Sequence, residues 1–423
     1  MKSRARIAKT PALNRRTLFR YAGAGGVMAL LPAGAGRSAP APAAQSAKPD
    51  PFELEEATIL DLQKRMVSGQ ESARSLAEKY TARIEALDRR GPALASVLEI
   101  NPDAIEIAAK LDEERKAGRV RGPLHGIPIL VKDNIGTADR MTTTAGSLAL
   151  EGSIPSSDSF VAKMLREAGA VILGKTNLSE WANFRSTHSS SGWSARGGQC
   201  CNPYALDRNP SGSSSGSGVA TAANLCAASI GTETDGSIVS PSNNCSLVGI
   251  KPTLGLASRS GVIPIAHSQD TPGPMCRTVA DAAIVLSAIS GTDPADPATK
   301  ESTAKGARNF AKLLDPKGLE GARIGVPRKV FFGSSAPADR IVERAITDMK
   351  RLGAVIIDPA DVENADAFEK SELEVLLYEF KADLNQYLAA LPGERARTLK
   401  DLIDFNERNR EKEMPYFGQE IFL

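Results

Sequence analysis

The chain has 423 residues, of which 42% are hydrophobic and 24% charged, an ordinary globular composition with length for one large core or two smaller ones. Its 52 basic and 50 acidic residues leave a formal net charge of +2, and no basic face with interleaved aromatics is visible, which argues against a nucleic acid partner. The five cysteines, Cys200, Cys201, Cys226, Cys245 and Cys276, are too few and too irregularly spaced for a disulfide framework or a zinc site; they read as small buried apolar residues, with room for one bond in an oxidising compartment.

Residues 1–44 read as an export signal and linker. Lys2, Arg4, Arg6, Lys9, Arg15, Arg16 and Arg20 form a basic stretch. The apolar, glycine-rich run 21–31 follows, and then small residues around Ser38-Ala39-Pro40-Ala41 that suit a signal peptidase. Asn14-Arg15-Arg16-Thr17-Leu18-Phe19 looks like a twin-arginine signal, which implies a periplasmic or secreted protein. The apolar run is shorter than the ~20 residues of a membrane span, so no stable insertion is expected once the signal is cleaved.

From residue 45 to 423 the chain reads as one domain in three parts. Over 53–121 the apolar positions Leu60, Leu62 and Met66, then Leu76, Tyr80, Ile84 and Leu87, recur at helical spacing with Gly69 and Gly91 as stops, predicting a helical cover. Over 122–300 short apolar runs at 127–131, 170–173 and 247–250 alternate with Gly/Ser/Thr clusters. They predict buried strands, with helices at 159–168 and 279–290; the fold class is α/β, a central mixed sheet covered by helices on both faces. In the last part, 301–423, a strand at 323–326, a helix at 338–352 and a strand at 354–357 are expected to extend the same sheet.

The densest chemistry lies in Asn209-Pro-Ser-Gly-Ser-Ser-Ser-Gly-Ser-Gly218 and Gly231-Thr-Glu-Thr-Asp-Gly-Ser-Ile238, with a small-residue stretch, 219–229, predicted as a close-packed helix between them. An amide is a poor electrophile, so its hydrolysis needs an activated nucleophile, a base and N–H donors for the oxyanion. These segments supply serines and backbone donors but no base, and His125, His188 and His267 fit no recognisable triad. Lys132, ending an apolar strand before Asp133-Asn134, can serve as base if burial lowers its pKa; equally, a lysine there can simply solvate the strand end.

Three ordered blocks resemble the amidase signature family: Gly126-Ile-Pro-Ile-Leu-Val-Lys-Asp-Asn-Ile135, the serine-rich loop with Gly231–Ser237, and Val248-Gly-Ile-Lys-Pro-Thr253 leading to Asp270-Thr-Pro-Gly-Pro274. The resemblance spans roughly residues 55–423. It implies a Ser-cisSer-Lys triad on a mixed α/β core, with Lys132 as general base, Ser213 as bridging serine after a cis Gly212-Ser213 peptide, and Ser237 as nucleophile. The backbone N–H groups of Thr234, Asp235, Gly236 and Ser237 would form the oxyanion hole. Ser214 either joins this network or caps the following helix. Neither cofactor nor metal is implied. Relatives continue past Leu423, so the resemblance also implies that a C-terminal tail, part of the fold and of the substrate cleft, is missing here.

Two other patterns compete. Gly169-Ala-Val-Ile-Leu-Gly-Lys-Thr176 has the spelling of a phosphate loop, but its inner residues are an apolar strand where a cradle needs exposed N–H groups. Gly212-Ser-Ser-Ser-Gly216 has the spelling of a nucleophile elbow, yet Pro210 and polar residues stand where that motif needs a strand. No His/Asp/Glu cluster with ligand spacing suggests a metal-dependent amidohydrolase. Within the family, Asn177-Leu-Ser-Glu-Trp-Ala-Asn-Phe184 and Ser191-Gly-Trp-Ser-Ala-Arg-Gly-Gly198 resemble the peptide amidase branch, so peptide C-terminal amides are the expected substrate. Aryl or aliphatic amides, or the amidase subunit of a tRNA-dependent amidotransferase, are the alternatives.

Overall fold

The structure, a computed structural model, describes residues 52–302, 309–364, 367–393 and 396–423; the export-signal reading lies outside them. Ten strands are described: β1 (Val97–Ile100), β2 (Pro128–Lys132), β3 (Val171–Thr176), β4 (Trp193–Ser194), β5 (Gly198–Gln199), β6 (Ala228–Glu233), β7 (Val248–Gly249), β8 (Thr271–Cys276), β9 (Arg323–Gly325) and β10 (Val355–Ile357). Six form one mixed sheet in the order β1-β3-β2-β6-β8-β7. The middle strands β3, β2 and β6 run parallel, with antiparallel partners on either side. Every residue of β2, β3, β6 and β8 is buried. Because side chains alternate between the faces of a strand, this means that both faces of the sheet are covered.

The helical cover forms where its signals stand. Thr58 and Ser72 cap helices Ile59–Ser68 and Ala73–Arg83 with reciprocal capping boxes, and Gly69 ends the first in the left-handed region at φ 75°. A third helix, Ala104–Lys116, completes this layer. Ser159 and Thr278 cap Phe160–Glu167 and Val279–Ile289.

Two expectations need correction, and one strand was not foreseen. The helix expected over 219–229 spans Ser215–Ala222 instead, and the chain turns at Asn224 (φ 57°) to enter β6, a central strand that the small-residue text conceals. Strand β8 is also hidden in the sequence, because its Pro272 and Pro274 remove ladder donors and so argue locally against a strand. Finally, β9 and β10 do form a parallel pair joined through helix Ala336–Arg351, but they pair with each other as a separate two-stranded sheet and do not extend the main one.

A second apolar cluster positions the far wall of the site. Leu376, Phe380, Leu384 and Leu388 of helix Glu369–Ala390 pack with Trp181, Phe184, Ile263, Ile265 and Phe422. Glu413 reaches from the C-terminal segment to the Leu148 N–H at 2.9 Å and, with Glu180, to the fully buried Arg185. No helix among the described residues is long and apolar enough to cross a membrane.

Candidate active site

Strand β2 delivers Lys132 to the sheet's C-terminal edge. Its side chain is fully buried, and Nζ lies 2.9 Å from Ser213 Oγ, 2.9 Å from Thr232 Oγ1 and 3.3 Å from the Thr232 carbonyl. Burial pushes its pKa down from 10.5 to about 7, against the opposing pull of Asp270 and Glu233. The Gly212-Ser213 peptide is cis. The Ser213 carbonyl accepts from the Ser179 N–H at 3.0 Å, and the Ser214 N–H donates to the Ser237 carbonyl at 3.1 Å, which binds the serine-rich turn to the second motif. Ser213 and Ser237 line the same cleft, together with Asn134, Thr232, Thr234 and Asp270. No hydrogen bond joins the Ser213 and Ser237 hydroxyls.

The turn at 234–237 is organised by a residue outside the family triad. The buried Glu233 carboxylate accepts from the N–H groups of Gly236 at 2.9 Å, Ile238 at 2.7 Å and Val239 at 2.9 Å. Of the four backbone donors expected for the oxyanion, the Gly236 N–H is thus engaged by the Glu233 carboxylate. Thr234 and Ser237 keep theirs without a protein acceptor among the described residues. The Thr234 hydroxyl donates at 2.5 Å to Asp270, which also accepts from the Ile265 and Ala266 N–H groups. Burial raises Asp270 to about 6.

Ser214 does not cap its helix. Its hydroxyl donates to the Thr232 carbonyl at 3.1 Å and accepts from the Thr232 N–H at 3.2 Å, stitching the serine turn to β6. Thr232 is a further residue that the sequence leaves unmarked: its Oγ1 receives both Lys132 and the Asn134 amide, at 2.9 Å each. A strand-end threonine carries no signal of its own, whereas an acid three residues before a glycine turn that opens a helix, as Glu233 stands, is a capping signal that could have been used.

The opposite face of the sheet holds a second buried lysine. In the β2–β3 register Lys132 sits beside Thr176 and Val131 beside Lys175, so strand alternation sends the two lysines to opposite faces. Lys175 donates to the Ile135 carbonyl at 2.6 Å and the Thr143 hydroxyl at 2.8 Å, near the buried Asp133. Burial lowers it to about 8. The stretch 169–176 thus ends in a fully buried strand and offers no phosphate cradle. All five cysteines are free, and the buried His125 is held by the Leu111 carbonyl at 2.9 Å.

A family model described as Amidase matches residues 75–417. The native peptide amidase of Stenotrophomonas maltophilia is 52% identical with a TM-score of 0.84, covering 88% of this chain and 75% of that one. A protein of Arabidopsis thaliana described as a probable amidase is 45% identical over 382 residues, 88% of this chain and 72% of its own length. A glutamyl-tRNA(Gln) amidotransferase subunit from Myxococcus xanthus is 34% identical over 371 residues, 88% of this chain and 73% of its own. Of two fungal relatives the chain spans 58% and 63%.

Proposed function

The chain belongs to the amidase family, hydrolases of amide carbon–nitrogen bonds, and from that premise we propose that it cleaves the C-terminal amides of peptides through an acyl-enzyme on Ser237. Lys132 is the base in this reading and Ser213 the relay between them. The observation that carries it is the set of partners around Lys132 Nζ. A neutral amine has two N–H donors and one lone pair. The two Thr232 oxygens are acceptors for the N–H groups, which leaves the lone pair for the Ser213 hydroxyl at 2.9 Å. With a pKa near 7 the amine is neutral over the slightly alkaline range where a base is needed.

Ser213 passes its proton to Lys132 while taking that of Ser237, whose Oγ attacks the carbonyl carbon. The N–H groups of Thr234, Asp235 and Ser237 stabilise the resulting oxyanion. The relay then returns the proton to the amide nitrogen, the C–N bond breaks, and ammonia leaves. Water attacks the ester by the same path. The relay requires a Ser213–Ser237 hydrogen bond in the reacting complex, and catalytic hydrogen bonds are often loose without substrate.

The peptide substrate is supported by the 52% identity to a peptide amidase; aryl or aliphatic amides are the alternative. Ammonia release from C-terminally amidated dipeptides, benzamide and propionamide separates them: fastest turnover of the dipeptides is expected, and turnover of the simple amides alone would replace this substrate with theirs. We also infer export, from Arg15-Arg16 and the apolar run after them. Cell fractionation with and without Arg15→Lys/Arg16→Lys tests it, and an unchanged distribution would refute it.

A further inference from the structure

Outside the catalytic cleft, we propose that His267, Glu379 and Asp383 bind a divalent transition-metal ion of the zinc class. His267 stands in the loop between β7 and β8, and Glu379 and Asp383 lie one turn apart on helix Glu369–Ala390, so both acids present the same helix face. One donor atom from each residue lies within 4.8 Å of the other two.

His267 Nδ1 is 2.8 Å from Asp383 Oδ2, and Nε2 is 3.4 Å from Glu379 Oε1. With Nδ1 engaged by Asp383, Nε2 is the ring atom turned to Glu379 and is the one placed to serve as a metal donor. The gap is long for a strong hydrogen bond, and it matches the edge of a tetrahedral zinc site, about 3.3–3.5 Å for bonds of about 2.0–2.2 Å. Glu379 and Nε2 are then direct ligands, water fills the remaining positions, and Asp383 orients the ring as a carboxylate behind a metal-bound imidazole.

Charge points the same way. The two acids are 16% and 19% exposed at the side chain; His267, itself 61% exposed and open to an ion, lies within ion-pair distance of both, and Arg259 acts on Asp383 from farther off. The two carboxylates make the cluster acidic, which favours a cation there. The donors are also held in advance: Asp383 Oδ2 accepts the His267 N–H at 3.1 Å, and Glu379 Oε2 accepts the Ser268 N–H at 2.9 Å. A mixed nitrogen and oxygen set with an imidazole favours zinc over calcium or magnesium. The ion would staple the helix to the loop whose Ile265 and Ala266 N–H groups hold Asp270.

The full chain, stripped with EDTA and dialysed, is titrated with zinc chloride in a non-chelating buffer, with calorimetry and melting temperature read in parallel. One ion per chain at micromolar affinity is expected, with a melting temperature that climbs with zinc but not with magnesium. His267→Ala should lose both signals. Glu379→Gln, whose amide oxygen can still accept the Ser268 N–H, should bind at least about tenfold more weakly. No heat and no shift from the wild type, or undiminished zinc binding by folded His267→Ala or Glu379→Gln, overturns the site.

Discussion

The two faces of the central sheet each bury a lysine at the end of adjacent parallel strands, and they put it to different use. Both are fully buried and both are depressed by that burial, Lys132 to about 7 and Lys175 to about 8. The difference lies in their partners. Lys132 meets Ser213 and Thr232 beside an open cleft. Lys175 meets a carbonyl and a threonine next to Asp133, which also has Arg196 at 3.4 Å. A lowered pKa therefore marks a buried lysine, and only the hydroxyl that it can deprotonate marks a base.

Replacing each lysine by methionine tests this contrast most strongly. Lys132→Met should lower kcat by about 10⁴, the upper end for loss of a general base, with the melting temperature unchanged or raised because a buried chargeable group is gone. Equal losses of activity in Lys132→Met and Lys175→Met would erase the distinction. Glu233→Gln should cost about 10–100-fold in kcat, because the amide offers one acceptor oxygen where the carboxylate holds three N–H groups, a loss smaller than the roughly 100–1000-fold of removing an oxyanion donor outright. An unchanged kcat would remove Glu233 from the site's support.

The pH profile is the next and smaller effect. Catalysis needs neutral Lys132, so kcat/KM should rise about tenfold per pH unit below a pKa near 7 and level off above it. A profile flat between pH 5 and 8 contradicts the lysine base. The sign for stability follows the same chemistry. Both folded pKa values lie below the ordinary 10.5, so folding disfavours the protonated forms. Their contribution to stability improves as pH rises from about 7 for Lys132, or about 8 for Lys175, towards 10.5. Smallest in activity, Lys175→Met should leave kcat per folded molecule within about twofold yet destabilise the fold by about 1–3 kcal/mol, since the buried Ile135 carbonyl and Thr143 hydroxyl lose their donor while Asp133 keeps Arg196. Thermal unfolding alongside active-site titration reads both quantities.

Much of this was legible in the sequence, for reasons that differ by residue. Lys132 stands in the first of the three ordered blocks and Ser213 and Ser237 in the second, and the strand that carries Lys132 is a continuous apolar run, so motif and periodicity agreed. Strand β6 was not legible, since Ala228–Glu233 is written in small and polar residues that need burial on both faces, a tertiary fact, to become a strand. Strand β8 was hidden by its prolines. The roles of Thr232 and Glu233 depend on hydrogen bonds between segments that meet only in the folded chain. The pairing of His267 with Glu379 and Asp383 is longer-range still, and no local spacing announces it.

The covalent intermediate is the most direct test of the lysine-driven serine relay. Acid-quenching the full chain during turnover of a slowly deacylating activated ester, followed by peptide mapping, should place the acyl group on Ser237, with no adduct in Ser237→Ala and, in a parallel assay on an amidated dipeptide, no ammonia release by that variant. An acyl group on Ser213 or Ser214, or ammonia release that persists in Ser237→Ala, would contradict it.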